Sequence, residues 1–471
     1  MSLATQSMSE LERSVLARID QERLVGRCAQ LIEAPSENPG GSEERTVQLL
    51  REMLEELGAS VHLQQVAEGR PNLVAHLGGG NSGGGILFLG HSDVVPAGSG
   101  WHADAFTARR EGDQLVGRGA TDMKGGLAAI IEAMAAVHHQ APEIPLTLIC
   151  TVDEEADALG ITHYINTEPP APYTACIVAE PTDLVAIIGC RAAANMEVRI
   201  SGSSAHAGRP ADGASAIEAA AKLVALIGRD KVRLAKNGHP ILGPATWNVG
   251  TLHAGHGTSI VPDAAVLGID RRLLPGEDPQ QVLDELLVAA RLDLDRALDL
   301  DGQQIGVEGS VQMFMPGFLA EPDAPLVLQA RQSLRDLGAA GDYGIWTASC
   351  EAGFIAQHHL VPAVVLGPGD INSQAHQPNE SVSIRDLCTA AGAYALIALR
   401  TFEAAQSKGQ DHDYPSTAAQ DPKRSGFHAG GKEASTKIRG RFGHRQCDRM
   451  VRLRHLWVPD RLYLTVILHF R

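Results

Sequence analysis

Histidines and acidic residues recur along this sequence directly after short apolar runs. The segments are His91-Ser92-Asp93 after ILFLG, Asp153-Glu154-Glu155 after LTLICTV, Glu180-Pro181-Thr182 after CIVA, and His376 in the loop after AVVLGPG. A fifth acidic residue, Asp122, lies in RGATDMKGG, directly before a helical stretch. Imidazole and carboxylate groups together suit Zn²⁺, Co²⁺ or Mn²⁺, whereas a thiolate site would need clustered cysteines.

The number of these groups exceeds what one tetrahedral metal ion binds. Two histidines and at least three carboxylates can hold two ions if one carboxylate bridges them. Two ions about 3.5–4 Å apart polarise a carbonyl group and generate hydroxide near neutral pH. The remaining acidic groups would then serve as a general base or orient a ligand histidine.

Strands and helices alternate in the part of the chain that carries these segments. Short apolar runs predict buried strands, and helical spacing predicts helices between and before them. The predicted strands are 72–76, 86–90, 146–151, 176–179 and 363–367, and the predicted helices include 9–33, 43–57 and 126–138. This alternation predicts a largely parallel sheet covered by helices. Because the carboxyl ends of parallel strands meet at one edge, the polar segments are expected to converge there.

The pattern changes near residue 189. The predicted order is a strand at 190–201, a helix at 213–228, strands at 246–252 and 263–273, a helix at 277–294 and a strand at 303–310. This β-α-β-β-α-β order is typical of a ferredoxin-like α+β domain. We therefore predict a first catalytic part at 1–187, an inserted domain at 188–305, a second catalytic part at 306–402 and a tail at 403–471.

Composition limits the class of protein. The 471 residues are 44% hydrophobic and carry a formal net charge of −16, so nucleic acid is not expected as a partner. The seven cysteines form no CxxC motif, which indicates free thiols in a reducing compartment. No signal peptide and no apolar run of about 20 residues is visible, so we expect a cytoplasmic protein without a membrane partner.

The C-terminal stretch 403–471 differs from the rest. It holds 13 Lys+Arg against 7 Asp+Glu and shows no sustained periodicity. This composition predicts a disordered basic tail. Two interpretations stay open, namely an extension without function, such as a frameshifted or read-through end, and an electrostatic tether.

Five blocks in order, GHSDVVPAG, GRGATDMKGG, TVDEEADALG, AEPT and AHQPNE, resemble the signature blocks of the M20 metallopeptidase family. The resemblance covers roughly residues 10–402. It implies a zinc-exopeptidase-like α/β fold, mixed and mostly parallel, with an inserted lid or dimerisation domain. It also implies two divalent metal ions, Zn²⁺ or Co²⁺, and a homodimer formed through the inserted domain.

The resemblance assigns a role to each matching residue. The first metal would be held by His91 and Glu180, the second by Glu155 and His376, and both by Asp122, whose bond to Met123 would be cis. Glu154 matches the general base that takes a proton from the attacking water. Asp93 would accept the N–H of His91 and fix its tautomer.

Three residues outside the metal shell also receive a role, one of them catalytic and two substrate-binding. His206 would stabilise the oxyanion, often in the partner subunit's site, and Arg272 would pair with a substrate carboxylate. Glu351 would face a cationic side chain such as that of ornithine, or else would be a structural cap. Ser259 stands where relatives often have Asn, which makes the substrate less certain.

The implied activity is hydrolysis of the amide bond in a small N-acyl amino acid. The blocks look most like those of the acetylornithine deacetylases. Succinyl-diaminopimelate desuccinylase and an M20 dipeptidase or carboxypeptidase are the alternatives. A non-catalytic homologue that binds a small molecule is a rival of another class, although such a homologue would normally have lost a ligand or the base.

Overall fold

The computed structural model describes residues 8–79, 85–297 and 305–410. The helices of these residues are α1 Glu10–Leu16, α2 Gln21–Ile32, α3 Glu44–Glu56, α4 Gly125–Gln140, α5 Leu159–Thr167, α6 Ala216–Ala235, α7 Pro279–Ala297, α8 Pro325–Asp336, α9 Ala352–His359 and α10 Ile384–Gln410. The strands are β1 Ser60–Ala67, β2 Arg70–Leu77, β3 Gly85–His91, β4 Arg109–Glu111, β5 Gln114–Val116, β6 Leu146–Thr151, β7 Tyr173–Val178, β8 Ala186–Cys190, β9 Ala192–Ser201, β10 Ala205–His206, β11 Thr246–Ala254, β12 Ile260–Val261, β13 Ala264–Leu273, β14 Gly306–Met315, β15 Phe318–Leu319, β16 Tyr343–Trp346, β17 Ala363–Val365 and β18 Ser381–Ser383.

A mixed sheet forms the centre of the larger part. Among the described residues it has nine strands in the order β1-β2-β6-β3-β7-β17-β8-β15, with β16 also paired to β8. The four central strands β6, β3, β7 and β17 run parallel, and antiparallel strands flank them. The predicted fold, a mixed, mostly parallel sheet covered by helices, is confirmed.

Helices cover both faces of this sheet because its central strands are apolar on both sides. One core cluster joins the sheet to α2, α3, α4, α8 and α10, and a second joins it to α5 and α9. Helix α4 is buried on nearly every side between the sheet and α10. A helix so enclosed needs mostly small and apolar residues, and the run GGLAAIIEAMAAV provides them, with Glu132 as its one charged residue.

A second, smaller sheet has its own core. Its four strands pair antiparallel in the order β11-β13-β9-β14, and α6 and α7 pack on it around apolar residues such as Leu223, Trp247 and Leu283. The order β9-α6-β11-β13-α7-β14 is the β-α-β-β-α-β order expected from the sequence.

Strand pairing moves the boundaries of this part. Ala186–Cys190 pairs within the large sheet, so the small sheet begins only at Ala192 and not near 188. Gly306–Met315 pairs with β9, so the predicted boundary at 305 is wrong and the small sheet continues to Met315. A strand belongs to the sheet that satisfies its backbone hydrogen bonds, which the apolar pattern alone does not specify.

Two predictions about helices also need correction. The predicted helix 9–33 is two helices, because Asp20 accepts the N–H of Arg23 and begins α2 anew. Helix α10 continues to Gln410, so the predicted disordered tail does not begin at 403. The rest of that predicted tail, 411–471, lies outside the described residues.

Two smaller predictions concern thiols and membranes. The six described cysteines are free thiols, and five of them are buried, while Cys447 lies outside the described residues. Within the described ranges, no helix is both long enough and apolar enough to cross a membrane.

Candidate metal centre

The five predicted metal ligands and the predicted general base lie at one edge of the large sheet. His91 is the last residue of β3, Glu154 and Glu155 follow β6, and Glu180 follows β7. His376 lies in the loop after β17, and Asp122 lies in a kinked turn, Ala120–Lys124, that leads into α4. The parallel strands therefore bring together residues that are far apart in the sequence.

Five of these side chains form two groups that share Asp122. The Nε2 atom of His91 lies 3.2 Å from Asp122 Oδ1 and 3.6 Å from Glu180 Oε1. The Nε2 atom of His376 lies 3.4 Å from Asp122 Oδ2 and 3.1 Å from Glu155 Oε2. Within each group the potential ligand atoms lie within 4.8 Å of one another. Each oxygen of Asp122 thus faces a different histidine, as a bridging carboxylate requires.

The turn that carries Asp122 has the backbone form expected from the resemblance. The peptide bond between Asp122 and Met123 is cis. Gly119 precedes the turn with φ 83°, a left-handed conformation that glycine adopts readily.

The electrostatics of the cluster indicate crowded carboxylates. Burial raises the pKa of Glu180 well above its usual range, and the carboxylates of Asp122 and Glu155 add to the effect. Burial lowers the pKa of His91, but Glu180 and Asp122 outweigh it and hold this pKa well above its usual value. Hydrogen bonds to Asp122 and Glu155 raise the pKa of His376 to about 10. Cations are therefore strongly favoured among these side chains.

The residues present fit two divalent cations. Each group offers one imidazole nitrogen and two carboxylates, a donor set that suits Zn²⁺, Co²⁺ or Mn²⁺. Glu155 Oε1 is buried and has no hydrogen-bond partner among the described residues. Burying a carboxylate oxygen without any hydrogen bond costs free energy. Such an oxygen is expected where it would instead bind a metal ion.

Glu154 and Asp93 lie beside the two groups. The pKa of Glu154 is raised well above its usual range by burial and by the neighbouring carboxylates Glu180 and Glu155. The nearest acceptor to His91 Nδ1 is the backbone carbonyl of Asp93 at 3.0 Å, and the Asp93 carboxylate is 3.4 Å away. A proton on Nδ1 leaves Nε2 free to bind a cation.

Besides lying next to His91, the Asp93 carboxylate binds backbone groups. It accepts the N–H groups of Glu154 and Glu155 at 3.2 and 3.1 Å. It therefore fixes the segment that carries both the candidate base and a candidate ligand.

Sequence reasoning missed a buried polar network behind this segment. Asn38 donates to Asp93 and to Asp153, each at 2.9 Å, and Arg70 donates to Asp153 at 2.6 Å. Arg70 also pairs with the buried carboxylate of Glu43 at 3.3 Å, and burial raises the pKa of Glu43 to about 7. Asn38 and Arg70 lie outside the signature blocks, so nothing in the sequence singled them out.

The predicted catalytic residue His206 and the predicted substrate-binding residues Arg272 and Glu351 are not part of the two groups. His206 is exposed, and its Nδ1 accepts the backbone N–H of Gly208 at 3.0 Å. Arg272 pairs with Asp270 at 3.1 Å, and its Nη1 is buried without a hydrogen-bond partner in the described part of the chain. Its neighbour Arg271 is buried against Trp247 and Glu277 and is structural.

Glu351 is fully buried near the cluster. Its Oε2 accepts the hydroxyl of Thr151 at 2.6 Å, and its Oε1 has no hydrogen-bond partner among the described residues. Burial raises the pKa of this carboxyl to about 8. It stands at the start of α9, although its side chain makes no capping hydrogen bond there.

Comparison with known proteins adds independent findings. The family model described as Peptidase family M20/M25/M40 matches residues 87–400. The acetylornithine deacetylase of Aliivibrio salmonicida is 32% identical over 346 residues, which are 71% of this chain and 86% of that protein. The acetylornithine deacetylase of Vibrio campbellii is 31% identical over 353 residues, 74% of this chain and 89% of that protein.

Solved structures share the fold at lower identity. Aminopeptidase PepT from Bacillus cereus superposes with a TM-score of 0.66 at 23% identity, covering 82% of this chain and 100% of that one. A protein from Bacillus subtilis described as a dinuclear metal-binding peptidase of the M20 family gives a TM-score of 0.61 at 16% identity, covering 81% and 98% of the two chains.

Proposed function

We propose that this chain, which belongs to peptidase family M20/M25/M40 and is a metal-dependent hydrolase of amide bonds, removes the acyl group from small N-acyl amino acids. The observation that carries the proposal is the pair of ligand groups that share Asp122, with Glu154 beside them. Its similarity to acetylornithine deacetylases over most of its length supports N-acetylornithine as the leading substrate.

The metal shell proposed here consists of five side chains. His91 and Glu180 would hold one ion, Glu155 and His376 the other, and Asp122 both. Zn²⁺ and Co²⁺ are the proposed occupants. When bound, such ions supply Lewis acidity towards a carbonyl oxygen and make water a stronger nucleophile near neutral pH.

Glu154 is proposed as the proton carrier of the reaction. Its side chain takes a proton from the water that attacks the acyl carbonyl and returns it to the departing amine. Its position is maintained through the backbone, where Asp93 accepts the N–H of Glu154. Substituting the side chain of Glu154 therefore leaves that tether in place.

Substrate selection is assigned to Arg272 and Glu351. The unpartnered Nη1 of Arg272 supports a role in binding the substrate carboxylate. The unpartnered Oε1 of Glu351 supports contact with a cationic side chain, which would favour ornithine over neutral amino acids. Succinyl-diaminopimelate and small peptides remain the alternative substrates.

The smaller sheet is proposed as the lid and as the contact surface of a homodimer. Several apolar residues of this part are exposed, among them Ile217, Leu252 and Ile260. Strand β11 is an edge strand of the small sheet, and β12 with Ile260 pairs directly with β10, which ends at His206. A partner subunit covering this surface would place its own exposed histidine near the neighbouring site, where it would stabilise the oxyanion.

The test is amine release from N-acetyl, N-formyl and N-succinyl amino acids and dipeptides. The protein is stripped of metal and reloaded with Zn²⁺ or Co²⁺, and Glu154→Ala is the control. Release that needs metal and that the control lacks would support the proposal, and the best substrate would identify the subfamily. A wild-type protein that binds metal and releases no amine from any of them would contradict it.

A further inference from the structure

We infer that Glu380 is a positioning residue that holds Asp122 and the His376 loop in register, so that both proposed metal positions depend on it. The inference rests on the proposed metal site and concerns a residue to which neither the metal shell nor the catalytic step gives a role. Glu380 is 1% exposed and lies four residues after His376.

The carboxylate of Glu380 is fully engaged with the turn that carries Asp122. Its Oε1 accepts the backbone N–H groups of Thr121 at 2.8 Å and Asp122 at 2.9 Å. Its Oε2 accepts the N–H of Gly119 at 3.1 Å and Nη1 of Arg118 at 2.6 Å. Four donors thus converge on one side chain, and one of them belongs to the proposed bridging ligand itself.

A separate three-stranded sheet, in the order β18-β5-β4, brings the two segments together. Strand β18 pairs antiparallel with β5, so Ser381 lies opposite Val116, and the N–H of Gly117 donates to the Glu380 carbonyl at 2.9 Å. The hydroxyl of Thr121 donates to the Ser381 carbonyl at 2.7 Å. The segment that contains His376 is therefore attached to the turn of Asp122 by backbone and side-chain bonds at once.

Arg118 strengthens the same attachment from the other side. Its guanidinium is buried, donates to the Gln377 carbonyl at 3.3 Å and lies over the ring of Trp101. Gln377 is the direct neighbour of His376. The ion pair between Arg118 and Glu380 thus connects the chain just before Asp122 with the chain just after His376.

A carboxylate is required at this position because every partner is a donor. A glutamine of nearly the same shape has one acceptor oxygen, so its NH₂ group would face donor groups. Buried N–H groups without an acceptor are energetically unfavourable, so the turn is expected to shift from its present position to satisfy them. Outer partners that orient ligands typically change metal affinity by about 10–100-fold when they are removed.

The experiment compares metal affinity in Glu380→Gln and Glu132→Gln. Glu132, on helix α4, is an equally buried glutamate of the same part, and it accepts the backbone N–H of Asp20 and the guanidinium groups of Arg23 and Arg27 on α2. Both substitutions neutralise a buried carboxylate that is paired with arginine, but only Glu380→Gln removes the support of Asp122. Zn²⁺ and Co²⁺ are titrated into metal-free protein against a chromophoric chelator, and thermal unfolding is followed in parallel.

We expect Glu380→Gln to weaken both binding steps by about 10–100-fold and to change the visible spectrum of bound Co²⁺. Glu132→Gln should lower the unfolding temperature and leave metal affinity within about twofold of wild type. Metal affinity unchanged in Glu380→Gln, or reduced equally in both variants, would overturn the inference.

A second variant at the same position keeps the outcome decisive. If Glu380→Gln does not fold, Glu380→Asp keeps the charge but withdraws its oxygens by one methylene, and it should show the same loss in weaker form. Unchanged affinity there would also overturn the inference. Because the readout is metal binding, a wild-type protein that takes up two ions but releases no amine contradicts the proposed function and leaves the role of Glu380 standing.

Discussion

Gly126, the second residue of α4, packs directly on the strand that leads to Glu180. A Cβ atom at this position would lie 2.3 Å from the carbonyl oxygen of Ala179, and ordinary contacts begin at 3.4 Å. Gly126→Ala therefore forces the helix and the end of β7 apart by about 1 Å. Overpacking of this kind costs about 1–3 kcal/mol, whereas alanine in place of glycine in a helix gains about 0.5–1 kcal/mol.

The functional consequence follows because Ala179 directly precedes Glu180. A shift of about 1 Å in a reacting or binding group can cost about 10²-fold in rate. We therefore expect Gly126→Ala to lose metal affinity at the first position, where Glu180 Oε1 now lies 3.6 Å from His91 Nε2. The assays are thermal unfolding, metal titration and amine release.

Gly26 provides the matched control. It lies inside α2 of the same part, and a Cβ atom there meets no atom within 4 Å. Gly26→Ala should therefore stabilise the protein by about 0.5–1 kcal/mol and leave metal binding unchanged. If Gly126→Ala were as stable and as active as Gly26→Ala, the close packing of α4 on β7 could not be what requires glycine.

Three further predictions have definite expected outcomes. Glu154→Ala should keep both ions by metal analysis but lose about 10²–10⁴ in kcat, and full activity would exclude its role as the base. Arg272→Lys should raise KM about tenfold or more with little change in kcat, while Arg271→Lys should lower only the unfolding temperature, and a KM change confined to Arg271→Lys would reverse the assignment. The pKa of His359 is lowered by burial from 6.5 to about 4, so the folded state binds its proton less readily than the unfolded state. Stability should thus fall by up to about 3 kcal/mol between pH 6.5 and 4, in denaturant melts of the metal-free protein, and His359→Phe should lack that component.

The part of the fold that could be predicted is the part determined by local pattern. The strand ending in His91 is an apolar run followed by polar residues, and such runs specify both the strand and the edge at which it ends. The side chains at those ends follow from parallel topology, so the convergence of His91, Asp122 and His376 could be expected before any coordinates. The roles proposed for them came from the resemblance.

The rest depends on contacts between distant segments. The end of the small sheet at Met315 is determined by pairing with β9, and the break before α2 by the cap of Asp20. The continuation of α10 past residue 403 was missed because the stretch from 403 onwards was judged by its overall basic composition. Its first residues, up to Gln410, still form helix. Glu380 is 258 residues from Asp122 in sequence, so its hydrogen bond to that residue has no local signal.

The proposed site requires one carboxylate, Asp122, to serve two metal positions. The most direct measurement is the number of Zn²⁺ or Co²⁺ ions bound per chain, by elemental analysis after metal removal and reloading, in wild type and in Asp122→Asn. We expect two ions in wild type and weakened binding at both positions in the variant. A single ion in wild type, or two ions retained with unchanged affinity in Asp122→Asn, would contradict this requirement.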